Sequence, residues 1–182
     1  MTDRPLLLLD VDGPLNPHGA RFVRPRGYVT RRLRPANWSA RQVPGSRRLR
    51  RGLRVRLNPG HGARLKALPY ELAWATTWMH EANEMIAPVI GLPGDLPVIE
   101  WPEMFVRDPE GLYWKTRHVV AWAAGRPFVW VDDMITDLDV RHVAAHHDAA
   151  ALLLPIDPRK GMRERDFEEL ERWARELRRT KR

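Results

Sequence analysis

The sequence predicts an α/β fold, a parallel sheet flanked by helices, and three observations carry that prediction. Short, almost wholly apolar runs recur along the chain, as expected for strands covered by helices on both faces. Segments with helical spacing of apolar residues separate these runs, and such alternation favours right-handed crossovers between parallel strands. The length of 182 residues fits one domain, residues 1–182, with a core of its own.

The first strand is Leu6–Leu9, opened by Pro5 and closed by Asp10. Further strands are expected at Glu71–Thr76, Pro97–Trp101, Phe128–Val131 and Ala151–Leu154, each bounded by Pro, Gly or Asp. Helices are expected at about Gly62–Leu68, His80–Ile90, Lys115–Ala124, Asp137–His147 and Arg163–Arg179. In the last, Phe167, Leu170, Trp173, Ala174 and Leu177 form one apolar stripe, the mark of a helix docked on a core. Between the first two strands lies an insert, approximately 15–57, rich in Pro, Gly and Arg. It is too long for an ordinary connection, and its Leu15–Gly52 part lacks a helical pattern. Tyr28–Leu33 and Leu53–Leu57 are expected to pair as a small flap, with Arg41–Arg51 as a mobile tip.

Without cysteine, disulfides, thiolate metal sites and cysteine nucleophiles are excluded, so the chemistry must use oxygen and nitrogen groups. No apolar run approaches the roughly 20 residues that span a bilayer, and Met1–Leu9 is too short and too soon interrupted for a secretory signal. A cytoplasmic protein with no membrane partner is expected. The net charge of +8 is unevenly spread. The 58 residues Gly13–Tyr70 hold 15 of the 31 basic residues and no acid, net +15, whereas the remainder sets 16 bases against 23 acids, net −7. An acid-free stretch of that kind suits an anionic partner, although a solvated arginine-rich face is the plain alternative.

The strongest local signal is Asp10-Val11-Asp12-Gly13 at the end of the first strand. In open α/β sheets ligands bind outside the carboxyl ends of the strands, and Gly13 permits a curl that turns both carboxylates into one crevice. The second strand ends in Thr76 and Thr77 and the fourth in Asp132 and Asp133, while Lys115 opens the helix leading into the fourth. Acids, hydroxyls and one of only four lysines thus collect at one sheet edge.

DVDG at Asp10, ATT at Thr76, the lone Lys115 and VWVDD at Asp132 resemble the four ordered motifs of the haloacid dehalogenase superfamily, and the resemblance covers most of the chain. More narrowly, ELAWATTWMHEAN and FVWVDD look like stretches of small bacterial domains of that superfamily, some associated with RNA repair proteins. The resemblance implies a Rossmann-like core with five strands in the order 5-4-1-2-3 and a flap or cap inserted after the first. It implies Asp10 as nucleophile, forming a transient aspartyl phosphate, and Asp12 as general acid and then base. It further implies Mg²⁺ held by Asp10, the Asp12 carbonyl and Asp132 or Asp133, with Thr76 or Thr77 and Lys115 binding the phosphoryl group. Thr76 is favoured because it ends the apolar run. Pro14 departs from the pattern, standing where a small hydroxyl residue is common.

Other residues carry less. His142, His146 and His147 include one i,i+4 pair without an HExxH pattern, and a metal role is not expected. Trp78 reads first as core packing and second as a base-stacking surface. His61, in NPGHG, reads either as a residue near the entrance or as a loop residue before a helix. The expected activity is a magnesium-dependent phosphomonoesterase, with a nucleotide or a nucleic-acid terminal phosphate as substrate. Its competitors are a small-metabolite phosphatase and a non-catalytic nucleic-acid-binding module on a degenerate core.

Overall fold

The structure, a computed structural model, describes residues 4–20 and 26–180. Residues 21–25 of the expected insert lie outside the described residues. Four parallel strands form the sheet: β1 (Leu6–Leu9), β4 (Glu71–Trp74), β5 (Phe128–Asp132) and β6 (Ala151–Pro155), in the order β4-β1-β5-β6. β1 is central, and its four leucines are fully buried. Alternate residues face opposite ways along a strand, so Leu7 and Leu9 join one core cluster while Leu6 and Leu8 join the other.

The first cluster is covered by α3 (His61–Ala67), by α4 (Ala87–Ile90) with the π-helical turn Ala82–Ile86 before it, and by α7 (Glu164–Thr180). Pro88 cannot donate a helical hydrogen bond, and the wider turn precedes it where one regular helix was expected. The α7 stripe docks as the periodicity predicts, with Phe167, Leu170 and Ala174 buried. The second cluster is covered by α5 (Thr116–Ala123) and α6 (Asp137–His146), and Thr136 and Asp139 close the start of α6 as a capping box.

The expected strand Pro97–Trp101 is not formed. It reduces to a single parallel bridge, Trp74 to Val98, so the five-stranded sheet is corrected to four. The Trp74 N–H donates to the Pro97 carbonyl at 2.8 Å and the Ile99 N–H to the Trp74 carbonyl at 2.9 Å. Pro97 lacks the donor that would extend the ladder on its amino-terminal side.

The insert forms the antiparallel pair β2 (Val29–Leu33) and β3 (Leu53–Leu57), as expected. Between these strands, where no helical pattern was expected, lie two short helices, α1 (Ala36–Ala40) and α2 (Arg47–Arg51), the second within the expected tip Arg41–Arg51. The Ser46 hydroxyl caps the second by accepting from the Leu49 N–H at 3.2 Å. Helices of five residues carry too little periodicity to be read from sequence. Among the described residues no helix is long and apolar enough to cross a membrane.

Candidate functional site

The carboxyl ends of β1, β4 and β5 bring the predicted residues together. Asp10 follows β1, and its backbone N–H donates to the Val131 carbonyl at 3.0 Å, which continues the β1–β5 ladder by one step. One Asp10 carboxylate oxygen accepts from the Val11 N–H at 2.8 Å, and the other lies 3.1 Å from Lys115 Nζ. Beyond it the chain curls at Gly13, whose φ is +97°. A Cβ at that position would lie 2.5 Å from the Asp133 Cβ, so glycine is required both for the turn and for the approach of the two strand ends.

Lys115 is fully buried just before α5. Its ammonium donates to Asp132 Oδ2 at 2.8 Å and to the Ala75 carbonyl at 2.9 Å, which with Asp10 accounts for all three of its N–H groups. Burial works to lower its pKa, but Asp10 and Asp132 outweigh that and hold the ammonium above the ordinary lysine value. The rings of Tyr113, Trp101 and Trp114 surround it, with centroids 5.6, 5.8 and 5.9 Å from Nζ. A lysine at a helix start is thus the buried hub of the site.

Asp132 is fully buried, and its second oxygen accepts from the Met134 N–H at 2.9 Å. Burial pushes its carboxyl up to about 7, Asp10 adding to the shift and Lys115 opposing it. Burial and Asp10 raise Asp133 as well. Asp10, Asp132 and Asp133 each offer an oxygen, all within 4.8 Å of one another. Three crowded carboxylates against one ammonium form a hard-oxygen set that suits a small divalent cation such as Mg²⁺.

The Asp12 carboxylate lies outside that set, and the resemblance implied only its backbone carbonyl as a metal contact. It is held by Asn16 Nδ2 at 2.7 Å and by Trp78 Nε1 at 2.9 Å, leaving Asp12 only a backbone contribution to a metal. Burial and the charge of Asp10 raise its pKa, against the lowering effect of Asn16, Trp78 and His18. Asn16 also accepts from the Arg56 N–H at 2.9 Å, tying the Asp12 loop to β3 of the insert. Sequence reasoning missed Asn16 altogether and assigned Trp78 no bond to a site carboxylate. An amide four residues beyond an acidic turn was the available signal.

The two threonines separate. Thr76 is fully buried, and its hydroxyl oxygen accepts from the Trp78 N–H at 3.3 Å. Thr77 faces the open space beside Asp10 and Asp12. Of the two, Thr77 lines the cavity and Thr76 does not; β4 ends at Trp74, two residues before the expected end, so the side-chain alternation no longer extends to position 76.

Two cavities meet here. The larger, about 760 Å³, is lined by Asp10, Asp12, Thr77, Lys115 and Asp133, together with His18, Arg107 and Met134. The smaller, about 200 Å³, lies under the insert, between Trp38 and Arg41 on one side and Trp78 and Phe105 on the other, and also reaches Asp12. Among the described residues Arg41 is the only insert arginine lining either cavity. Most of the others are spread along the exposed hairpin and α2. His142 and His146 stack at 4.1 Å on α6, and neither lines the two cavities. Compared with protein-family models, with curated proteins and with solved structures, the chain has no match in any of the three.

Proposed function

We propose that this protein is a magnesium-dependent phosphomonoesterase of the haloacid dehalogenase type, acting in the cytoplasm through an aspartyl-phosphate intermediate. The observation that carries the reading is the different fate of two acids from one strand end. Asp10 lies against the Lys115 ammonium, while Asp12 is raised by burial and held between Asn16 and Trp78. Paired carboxylates in contrasting environments are the arrangement that lets one act as nucleophile and the other as acid. The parallel sheet flanked by helices and the insert after β1 support the same reading, although the four strands β4-β1-β5-β6 do not complete the implied order 5-4-1-2-3.

In the proposed reaction an Asp10 oxygen forms a bond to phosphorus as the ester P–O bond breaks, and Asp12 gives its proton to the departing alkoxide. Asp12, now a carboxylate, takes a proton from water. That water oxygen bonds to phosphorus, the aspartyl P–O bond breaks, and Asp10 is regenerated. Lys115 offsets the charge on Asp10, and Thr77 is the hydroxyl placed to donate to a phosphoryl oxygen. Mg²⁺, held by Asp10, Asp132 and Asp133, would screen the repulsion between the nucleophile and the phosphate dianion.

For the substrate we propose a nucleotide or a nucleic-acid end. Supporting this are the aromatic walls of the smaller cavity, Trp38, Trp78 and Phe105, which suit a base next to the acid, and Arg41 beside them. The test is phosphate release, with magnesium, from aryl phosphate, nucleotides, sugar phosphates and 3′- or 5′-phosphorylated oligonucleotides. Activity highest on the nucleotide or oligonucleotide substrates and absent in Asp10→Asn is expected, and a fully active Asp10→Asn protein would sink the proposal. Preference for a sugar phosphate would instead favour the small-metabolite reading.

A further inference from the structure

A second concave surface lies apart from the candidate catalytic cavities and shares no lining residue with them. It is a cleft of about 870 Å³ between the base of the insert (Arg26, Tyr28), the start of α3 (His61, Arg64) and the loop from β6 to α7 (Arg159, Lys160, Arg163). Five cationic side chains line it, against one carboxylate, Glu164. That acid is already engaged by Arg64 in a two-pronged pair at 2.7 and 2.5 Å, and Lys160 is paired with Asp157 at 3.1 Å. Arg26, Arg159 and Arg163 have no carboxylate partner among the described residues. Two buried polar atoms of the lining residues, His61 Nδ1 and Arg163 Nε, also lack a hydrogen-bond partner.

The cleft opens at the same edge of the sheet as the carboxylates. The β6–α7 loop leaves the sheet beside Asp132, which is paired with Pro155. Backbone hydrogen bonds tie the Pro14–Gly19 loop beside the candidate site to the β6–α7 loop that lines the cleft. His18 lines the cavity, and the next residue, Gly19, donates its N–H to the Pro158 carbonyl at 2.9 Å, while the Met162 N–H donates to the Pro14 carbonyl at 2.8 Å. Cations drawn from three segments and spread along such a cleft exceed what one phosphate ion needs. Guanidinium groups match phosphodiester oxygens in pairs.

We propose that this cleft binds the backbone phosphates of a single nucleic-acid strand. The inference rests on the phosphatase reading only in taking the ligand to be the same class of polyanion, and its test requires no turnover. The probe is a labelled mixed-sequence oligonucleotide of about 12 nucleotides, within the roughly 4–16 that single-strand sites cover, with hydroxyls at both ends. It is used in RNA and DNA form and followed by fluorescence anisotropy over a salt series.

The Arg159→Ala/Lys160→Ala protein is expected to bind roughly ten-fold more weakly, with the slope of log affinity against log salt smaller by about 1.4, at roughly 0.7 per lost phosphate contact. Arg178→Ala/Arg179→Ala removes the same charge from the exposed end of α7, and its affinity should stay within about two-fold of the parent. Equal losses in the two double variants, or no loss in the first, would overturn the cleft. Asp10→Asn separates the two proposals: it abolishes turnover if the phosphatase reading holds, and it leaves oligonucleotide binding intact if the cleft is right.

Discussion

Replacing Lys115 with methionine deletes one ammonium while keeping most of the apolar stem. The change strips the cation from two carboxylates whose side chains are 7% and 0% exposed, Asp10 and Asp132, and leaves the Ala75 carbonyl without its donor. Removing one partner of a buried pair typically costs about 3–5 kcal/mol, a large share of the roughly 5–15 kcal/mol that holds a domain folded. The cost should depend on pH. Asp132 already sits at about 7 with the ammonium present, and without it the carboxyl rises further. A carboxyl whose folded pKa lies above its unfolded value, about 3.9, makes stability fall as pH rises between the two. Urea unfolding of Lys115→Met should therefore show a loss near 3–5 kcal/mol at about pH 8 and a clearly smaller one at about pH 5. Adding Asp132→Asn removes the stranded charge and should recover roughly 2 kcal/mol at the higher pH, although phosphate release stays lost. A loss below about 1 kcal/mol, or one equal at both pH values, would refute the buried hub.

Three further outcomes are expected. Asn16→Ala removes a hydrogen bond that lowers the Asp12 pKa, so the fall of turnover with rising pH, read on an alkyl phosphate that needs the acid, should move to higher pH; an unmoved limb would deny Asn16 its positioning role. Mg²⁺ should raise the melting temperature of the parent protein, by about 2.7 kcal/mol of stabilisation at a hundred times its dissociation constant, and Asp133→Asn should abolish most of that shift without loss of fold. Gly13→Ala forces a Cβ to within 2.5 Å of Asp133 Cβ at a φ of +97°, so the Mg²⁺-induced shift and turnover should fall together, while a variant indistinguishable from the parent would mean the loop relaxes freely.

The parts of this fold legible in the sequence are those fixed by burial on both faces of a strand. Leu6–Leu9 and Phe128–Val131 are apolar at every position because helices cover both sides, and no other arrangement of four such residues is as economical. Asp10, Lys115, Asp132 and Asp133 were legible for a related reason: polar groups at the carboxyl ends of adjacent parallel strands share one edge whatever the loops do. Pro97–Trp101 misled because its composition is that of a strand, whereas the donor that would extend its pairing with β4 is missing at Pro97. The order of Thr76 and Thr77 turned on where β4 ends, a boundary that apolar content does not mark. Asn16 and the Trp78 contact to Asp12 were invisible because both depend on the insert folding back: Asn16 reaches β3 across 40 residues and Trp78 reaches Asp12 across 66.

The charge pattern of the chain makes sense once the two ends of its distribution are placed. On the proposed reading, a centre built from Asp10, Asp12, Asp132 and Asp133 around one lysine would repel a phosphate dianion until that phosphate came within reach of Lys115, Thr77 and a metal. Attraction must therefore come from elsewhere, and beyond about 8–10 Å it is screened at physiological salt. Among the described residues the basic side chains of Gly13–Tyr70 are not concentrated on the candidate site, to which the insert gives a single arginine beside Asp12. Most lie on the hairpin and α2, and Arg26 and Arg64 join Arg159, Lys160 and Arg163 in the cleft beyond the loop carrying Pro14 and His18. That placement favours a ligand long enough to touch both regions over a lone small ester, because only an extended polyanion gathers its binding energy from the basic surface while presenting one terminal phosphate to the acids. Shortening the oligonucleotide should therefore raise KM steeply and leave kcat nearly constant, the signature of binding contributed away from the reacting atoms.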